Sequence, residues 1–550
     1  MKKILSVIIS GACACCLFSC KDSGSKTNLL VLPVSTGAAD RTWVQDAYLK
    51  ASNATTDTGY GSSVAISGDT IAVGAQSVSS TQATITNTDG AADTSADLAS
   101  AVFAGAVYVY KKDSTGNWIQ DAYIRPSNPN AFEMFGCSVA MSGDIIVAGA
   151  HWDDNNQSSI TNDDGHPTVA ESNLTLTSGA AYVFKRDASG NWIQDAYLKA
   201  SNAGGDNFGI SVAVDGETIV VGAYGESSNQ ATITNTDNTA SGNDTSGSSG
   251  AAYVFKKDTT GNWYQDAYLK ASNVGAGDYF GWSVAISGDI IAVGAYLEDS
   301  NATSINNTDG APGNVDGAVD SGAVFVFKRD ATTGDWSQDA YLKASNAGAG
   351  DNFGIAVAVN GNTIVVGATA EDSWSPIINS NDCAESNEVL VGSGAVYVFK
   401  RDTTTGNWSQ DAFLKASNAG MDDAFGSSVA VYGNTIVVGT SSEDSGQNAI
   451  TNTDGLGADD DSMSYSGAVY VFKKDTSGNW VQDAYLKASN NPENIGLGSK
   501  VAISGTTIVS GAGSEGNTTP GIVNNDGYPT AAECSFGTLN VGAAYVFTVK

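Results

Sequence analysis

Basic residues are scarce in this chain. Its 550 residues carry 26 Lys and Arg against 59 Asp and Glu, a net charge of −33. Nucleic acid is excluded as a partner, because phosphate binding needs clusters of Lys and Arg. An anionic membrane surface is disfavoured for the same reason. Cations and neutral or basic partners are compatible, and plain solubility is the other use of such acidity. Proline is also rare, at 9 residues, and the only histidines are His151 and His166. Beyond Cys20 the cysteines are Cys137, Cys383 and Cys534, an odd number that makes no disulfide framework. Cys137 is expected to act as a small core hydrophobe. No HExxH, phosphate-binding glycine loop or nucleophile elbow occurs, nor a CxxC past the first twenty residues. Nothing in the sequence marks a catalytic centre.

The first twenty residues are different. Met1-Lys-Lys supplies a positive start, and Ile4 to Phe18 is apolar but too short to span a bilayer. Leu17-Phe-Ser-Cys20 follows. This leader resembles a bacterial lipoprotein signal peptide, which implies removal of residues 1–19 and lipidation of Cys20. Lys21-Asp22 resembles the surface-export signal of some Bacteroidota-type lipoproteins. Residues 20–41, rich in Ser, Gly, Thr and Asn, are then a tether. A protein anchored by lipid to the outer membrane or cell surface is expected.

What the chain has in abundance is repetition. The word Trp43-Val-Gln-Asp-Ala-Tyr-Leu-Lys returns at Trp118, Trp192, Trp263, Trp336, Trp408 and Trp480, at spacings of 75, 74, 71, 73, 72 and 72. Each repeat holds four strand-like words, here termed A to D. In the fourth they are Phe280 to Ser287, Ile290 to Ala295, Gly322 to Lys328 and Trp336 to Lys343. All are short, β-branched or aromatic, and bounded by turn residues. Gly288-Asp289 joins the first two as a tight hairpin. Four antiparallel strands repeated radially make a propeller blade. The chain opens on a D word at Trp43 and closes on a C word at Gly542 to Phe547. The spacing therefore predicts an all-β, seven-bladed β-propeller over 42–550. Its ring is closed by the N-terminal strand, about 42–50, pairing with the C-terminal strand, about 542–548, which removes two sheet edges.

The words Phe135-Gly136, Phe208-Gly209, Phe280-Gly281, Phe353-Gly354 and Phe425-Gly426, each followed by a Ser-Val-Ala-like strand, VGA and GAVYVF, resemble FG-GAP repeats. Tyr60-Gly61 and Leu497-Gly498 are variants of the same word. The resemblance is to the integrin α-subunit propeller and its bacterial relatives. It implies the propeller fold and leaves the ligand open.

Each repeat is longer than a minimal blade of about 40–45 residues. The surplus lies between strands B and C, in seven segments: 76–104, 151–178, 224–249, 296–321, 369–393, 440–466 and 513–541. These hold 30 acidic residues and no Lys or Arg. Nineteen of the 26 basic residues fall instead in the C–D turns and at the ends of the D words. One face should be wide, loop-rich and negative. The opposite face should be flat with a basic rim.

Every B–C segment carries a hexapeptide of the type Ile85-Thr-Asn-Thr-Asp-Gly90, degraded to IINSND at 377–382. The pairs Asn87/Asp89, Asn162/Asp164, Asn307/Asp309, Asn452/Asp454 and Asn524/Asp526 offer two oxygens and, next, a Gly. Calcium takes such ligands. Asp153, Asp154, Glu298, Asp299, Glu371, Asp372, Glu443 and Asp444 lie upstream as candidate supporting ligands. The same residues also make Asx turns, with the Ile as an anchoring peg. The integrin-type calcium loops join strands A and B, so those sites do not carry over to these B–C words. The expected function is a lipid-anchored surface binding or adhesion module. Its acidic face would meet a protein or glycan, with calcium as the candidate ion and no catalysis. The alternatives are an enzyme acting on an extracellular polymer and a passive acidic coat.

Overall fold

The computed structural model describes residues 42–550 apart from 89–101, 156, 164–176, 237–242, 309, 311–316, 375–388, 453–460, 492 and 525–539. The leader, Cys20 and the tether lie outside the described residues.

Seven antiparallel sheets each keep the order A-B-C-D. Blade 1 runs Tyr60–Ser67, Thr70–Ala75, Ala106–Lys112 and Trp118–Ile124. Blade 4 runs Ser283–Ser287, Ile290–Ala295, Ala323–Arg329 and Trp336–Leu342. Blade 7 takes its A, B and C strands from Lys500–Ser504, Thr507–Ala512 and Ala543–Val549, and its D strand from Trp43–Leu49 at the other end of the chain. Trp43 pairs with Val549 and Leu49 with Ala544, so the ring closes as its phase predicts. Neighbouring A strands touch in an unbroken circle and surround the axis.

The signature residues hold blade to blade. Phe208 is fully buried, meets Tyr253 and Phe255 of its own blade edge-on at 5.4 and 5.9 Å, and bridges Gly179 of the preceding blade, its N–H donating to the Ser178 carbonyl at 3.2 Å. Gly281 follows the next Phe with φ +91, and its carbonyl oxygen comes so close to Gly222 that a Cβ there would sit 1.9 Å away. Two glycines, one from each blade, thus set the blade spacing.

Each D strand carries a bulge at its Asp, as between Gln45 and Ala47. The bulge turns the carboxylate toward the next blade. Trp192 Nε1–H donates to Asp121 at 3.0 Å and Trp263 Nε1–H to Asp195 at 2.8 Å. All seven D-word tryptophans make this bond, and Trp43 closes the circle on Asp483 at 2.8 Å. The C–D cations gather round it. Arg186 pairs with Asp121 at 2.7 Å and stacks over the Trp192 ring at 4.4 Å.

Candidate functional site: the loop-rich face

The hexapeptide words lie along the free edge of strand D. Thr86 bridges Tyr123, and Thr161–Asn162 and Ile522–Asn524 form short fifth strands on Trp192–Leu198 and Trp43–Leu49. An exposed outer edge is thereby covered by the blade's own loop. The asparagine then reaches the following blade. Trp192 N–H donates to Asn87 Oδ1 at 2.6 Å, and Asn87 Nδ2–H donates back to the Trp192 carbonyl at 3.0 Å. Asn162, Asn235, Asn307, Asn452 and Asn524 make the same double bond to Trp263, Trp336, Trp408, Trp43 and Trp118. The partner aspartates Asp89, Asp164, Asp309, Asp454 and Asp526 lie outside the described residues, as does the degraded word at 377–382. Among the described residues no group of three His, Cys, Asp or Glu is arranged to hold a metal ion.

The upstream acids divide into two roles. Glu298 is fully buried and meets Lys343 Nζ at 3.1 Å. Lys343 also donates to Ser321 Oγ at 2.8 Å and to the Gly322 carbonyl at 2.6 Å, so all three ammonium protons have acceptors. Asp153–Lys199, Glu226–Lys270, Glu371–Lys415, Glu443–Lys487 and Glu515–Lys50 repeat the arrangement. Burial lowers the lysine pKa values of Lys270, Lys343, Lys415 and Lys487, opposed by the facing carboxylate. In three of the four pairs the second acid holds the neck of the loop: Asp299 accepts from Asp320 N–H at 2.8 Å, Asp372 from Gly392 N–H at 2.7 Å and Asp444 from Tyr465 N–H at 2.6 Å. The Asp154 carboxyl is raised by burial and by Asp153.

The basic rim needs one correction. The cations of the C–D turns do lie on the flat face, but those ending the D words do not. Strand D runs toward the D–A connection, on the same side as the B–C loops, and its terminal Lys sits buried beneath them. Blade 1 varies this design. Val78 stands where the other blades have the acid, and Arg125 reaches the carbonyls of Gly105, Ser80 and Gln82.

A further row of acids precedes the Phe-Gly words. Burial and then Glu226 raise Asp206 to about 7, and burial, with Glu443 adding, raises Asp423 to about 7.

The seven-fold pattern breaks at the boundary of blades 3 and 4. Tyr224 follows strand B of blade 3, Thr218–Ala223, and Tyr296 follows strand B of blade 4. Tyr279 and Trp282 flank Phe280-Gly281. The Tyr224 ring lies 5.0 Å from Tyr279 and 5.2 Å from Trp282. Tyr296 lies 5.9 and 4.9 Å from the same two, and Tyr279 and Trp282 are near parallel at 6.3 Å. All four are half-buried, on the loop-rich side beside the axis. Elsewhere the place of Trp282 holds Ser, Cys or Ile. Cys137 takes it in blade 2, half-buried at this mouth rather than in the core. Tyr279 adopts φ +57, a left-handed conformation costly for a bulky residue, where Asn207 and Asn352 stand in the neighbouring repeats. The asparagines of the words singled out for metal chemistry are thus blade staples. The asymmetric cluster was missed, although comparing repeats at these four positions reveals it.

A model of the FG-GAP repeat matches residues 43–110, 118–162, 192–236, 263–307, 336–399 and 408–453. The chain belongs to the FG-GAP repeat family. Each matched segment begins on a D-word tryptophan, and all six take in the next hexapeptide's asparagine. Among curated proteins none matches. Among solved structures, a putative 6-phosphogluconolactonase from Bacteroides uniformis is similar at 10% identity and TM-score 0.42, covering 82% of this chain and 97% of its own. Sqt1 from Saccharomyces cerevisiae is similar at 8% identity and TM-score 0.39, covering 92% and 98%.

Proposed function

We propose that this FG-GAP propeller is a surface binding module, tethered through lipidated Cys20, whose ligand contacts the loop-rich face. The aromatic cluster carries the reading. Six repeats keep small or aliphatic residues where blade 4 places Trp282, and Tyr279 stands beside it on a left-handed backbone that every repeat shares at this position. Rule-breaking positions of this kind concentrate at functional sites. The face also gathers exposed apolar side chains: among the described residues, eight of the ten large ones, Trp152, Trp374 and Met421 included, stand on its loops. Calcium in this reading is an ion of the word aspartates, such as Asp89 and Asp309, and not of the stapling asparagines. A rise in melting temperature with calcium and none with magnesium at matched ionic strength supports that part. Equal responses end it.

The binding reading is tested with the whole protein on immobilised neutral glycans, acidic glycans and basic proteins, with released product measured alongside. Saturable binding without turnover is expected. New reducing ends or cleaved polymer would make the molecule an enzyme. Absence of binding to every probe would leave the acidic coat.

A further inference from the structure

Resting on that reading, we infer that Tyr224, Tyr279, Trp282 and Tyr296 form a subsite for a pyranose unit of a neutral glycan. The first argument is the polar tips. The D-word tryptophans all spend their indole N–H on an aspartate of the previous blade. Trp282 does not, and among the described residues no protein group bonds its indole or the hydroxyls of Tyr224, Tyr279 and Tyr296. Three phenols and one indole therefore meet water at the end of an apolar body. A sugar ring has the complementary form, with C–H groups for the aromatic surface and hydroxyls that both donate and accept. The indole donates only, and a sugar hydroxyl accepts from it. At the indole N–H itself a guanidinium or ammonium, which only donates, would set donor against donor.

The second argument is charge. Tyr296 is pushed up to about 12 by burial first, then by Tyr279, Tyr224 and Asp320, so its hydroxyl keeps its proton as a donor. The Asp320 carboxyl is itself raised by burial and by Asp299. The surrounding loops contain no Lys or Arg. Sulfated or uronate-rich glycans would be repelled. The third argument is position: the cluster sits at one blade boundary beside the axis, where one chain end or branch of a polymer can reach it while the rest lies across the face.

The test is titration of the protein with neutral hexasaccharides of β-1,4-glucose, α-1,4-glucose and β-1,4-mannose, read by tryptophan fluorescence and calorimetry. Trp282→Ile and Tyr224→Thr install residues that other blades already carry at these places, Ile355 and Thr369, so the blade is kept intact. Tyr432→Ala, exposed at the A–B turn of blade 6 on the opposite face, is the control. At least a tenfold loss of affinity for one hexasaccharide in both cluster variants, with Tyr432→Ala unchanged, is the expected result. Equal binding by Trp282→Ile and the parent protein overturns the subsite, as does binding of none of the three sugars at millimolar concentration. If a basic protein binds and loses affinity in Trp282→Ile, the glycan assignment fails while the binding-module reading stands. If nothing binds at all, both fall.

Discussion

The carboxamide of Asn307 closes on the backbone of Trp408: Trp408 N–H donates to Oδ1 at 2.6 Å, and Nδ2–H donates to the Trp408 carbonyl at 3.0 Å. One side chain satisfies both backbone groups of an outer-strand residue in the next blade. A recurrent polar word that looks like a ligand set is, at its asparagine, a joint between blades.

Asn307→Leu should lower stability by about 1–3 kcal/mol, the net value of two hydrogen bonds. The loss, read from urea unfolding midpoints, should be the same in calcium and in chelator. A loss seen only in calcium would make Asn307 a metal ligand.

The buried pair Lys343–Glu298 should be intolerant of half-removal. Lys343→Met leaves a carboxylate uncompensated in the interior and is expected to cost about 3–5 kcal/mol. Lys343→Met with Glu298→Leu should recover most of that. Equal unfolding midpoints for the single and double variants would show that the pair is not coupled.

Stability should fall as pH rises from about 4 to 7. Asp206 and Asp423 are raised to about 7 in the folded chain. Their unfolded values lie near about 3.9. Across that window the native state holds protons the unfolded chain has released, so stability is greatest at the acidic end and declines toward neutrality. The melting temperature should be higher at pH 5 than at pH 7.5. Asp206→Asn with Asp423→Asn should flatten the profile; an unchanged slope would assign it to other groups.

Gly222→Ala isolates blade spacing. Its backbone φ is ordinary, so the new Cβ acts only by meeting the Gly281 carbonyl. About 1–3 kcal/mol of destabilisation follows from overpacking. Gly205→Ala, which meets nothing within 4 Å, should change little. Similar melting points for the two would remove the close approach as a constraint.

The sequence by itself determined the ring. Seven D words, the offset between a leading D and a trailing C, and alternation of turn residues with β-branched strands admit one closed architecture, because period and phase are properties of the linear chain. The charge asymmetry of the B–C loops was legible for the same reason. What only the tertiary structure decided is where each polar side chain finds its partner. Asn87 lies 105 residues from Trp192, and Lys50 lies 465 from Glu515. No local pattern separates an asparagine that staples a blade from one that binds a cation, since both present the same oxygen in the same turn. Likewise, Tyr224, Tyr279, Trp282 and Tyr296 are four unremarkable aromatics along the chain. They become a cluster only because a blade boundary brings the end of one B strand against the start of the next blade's A strand.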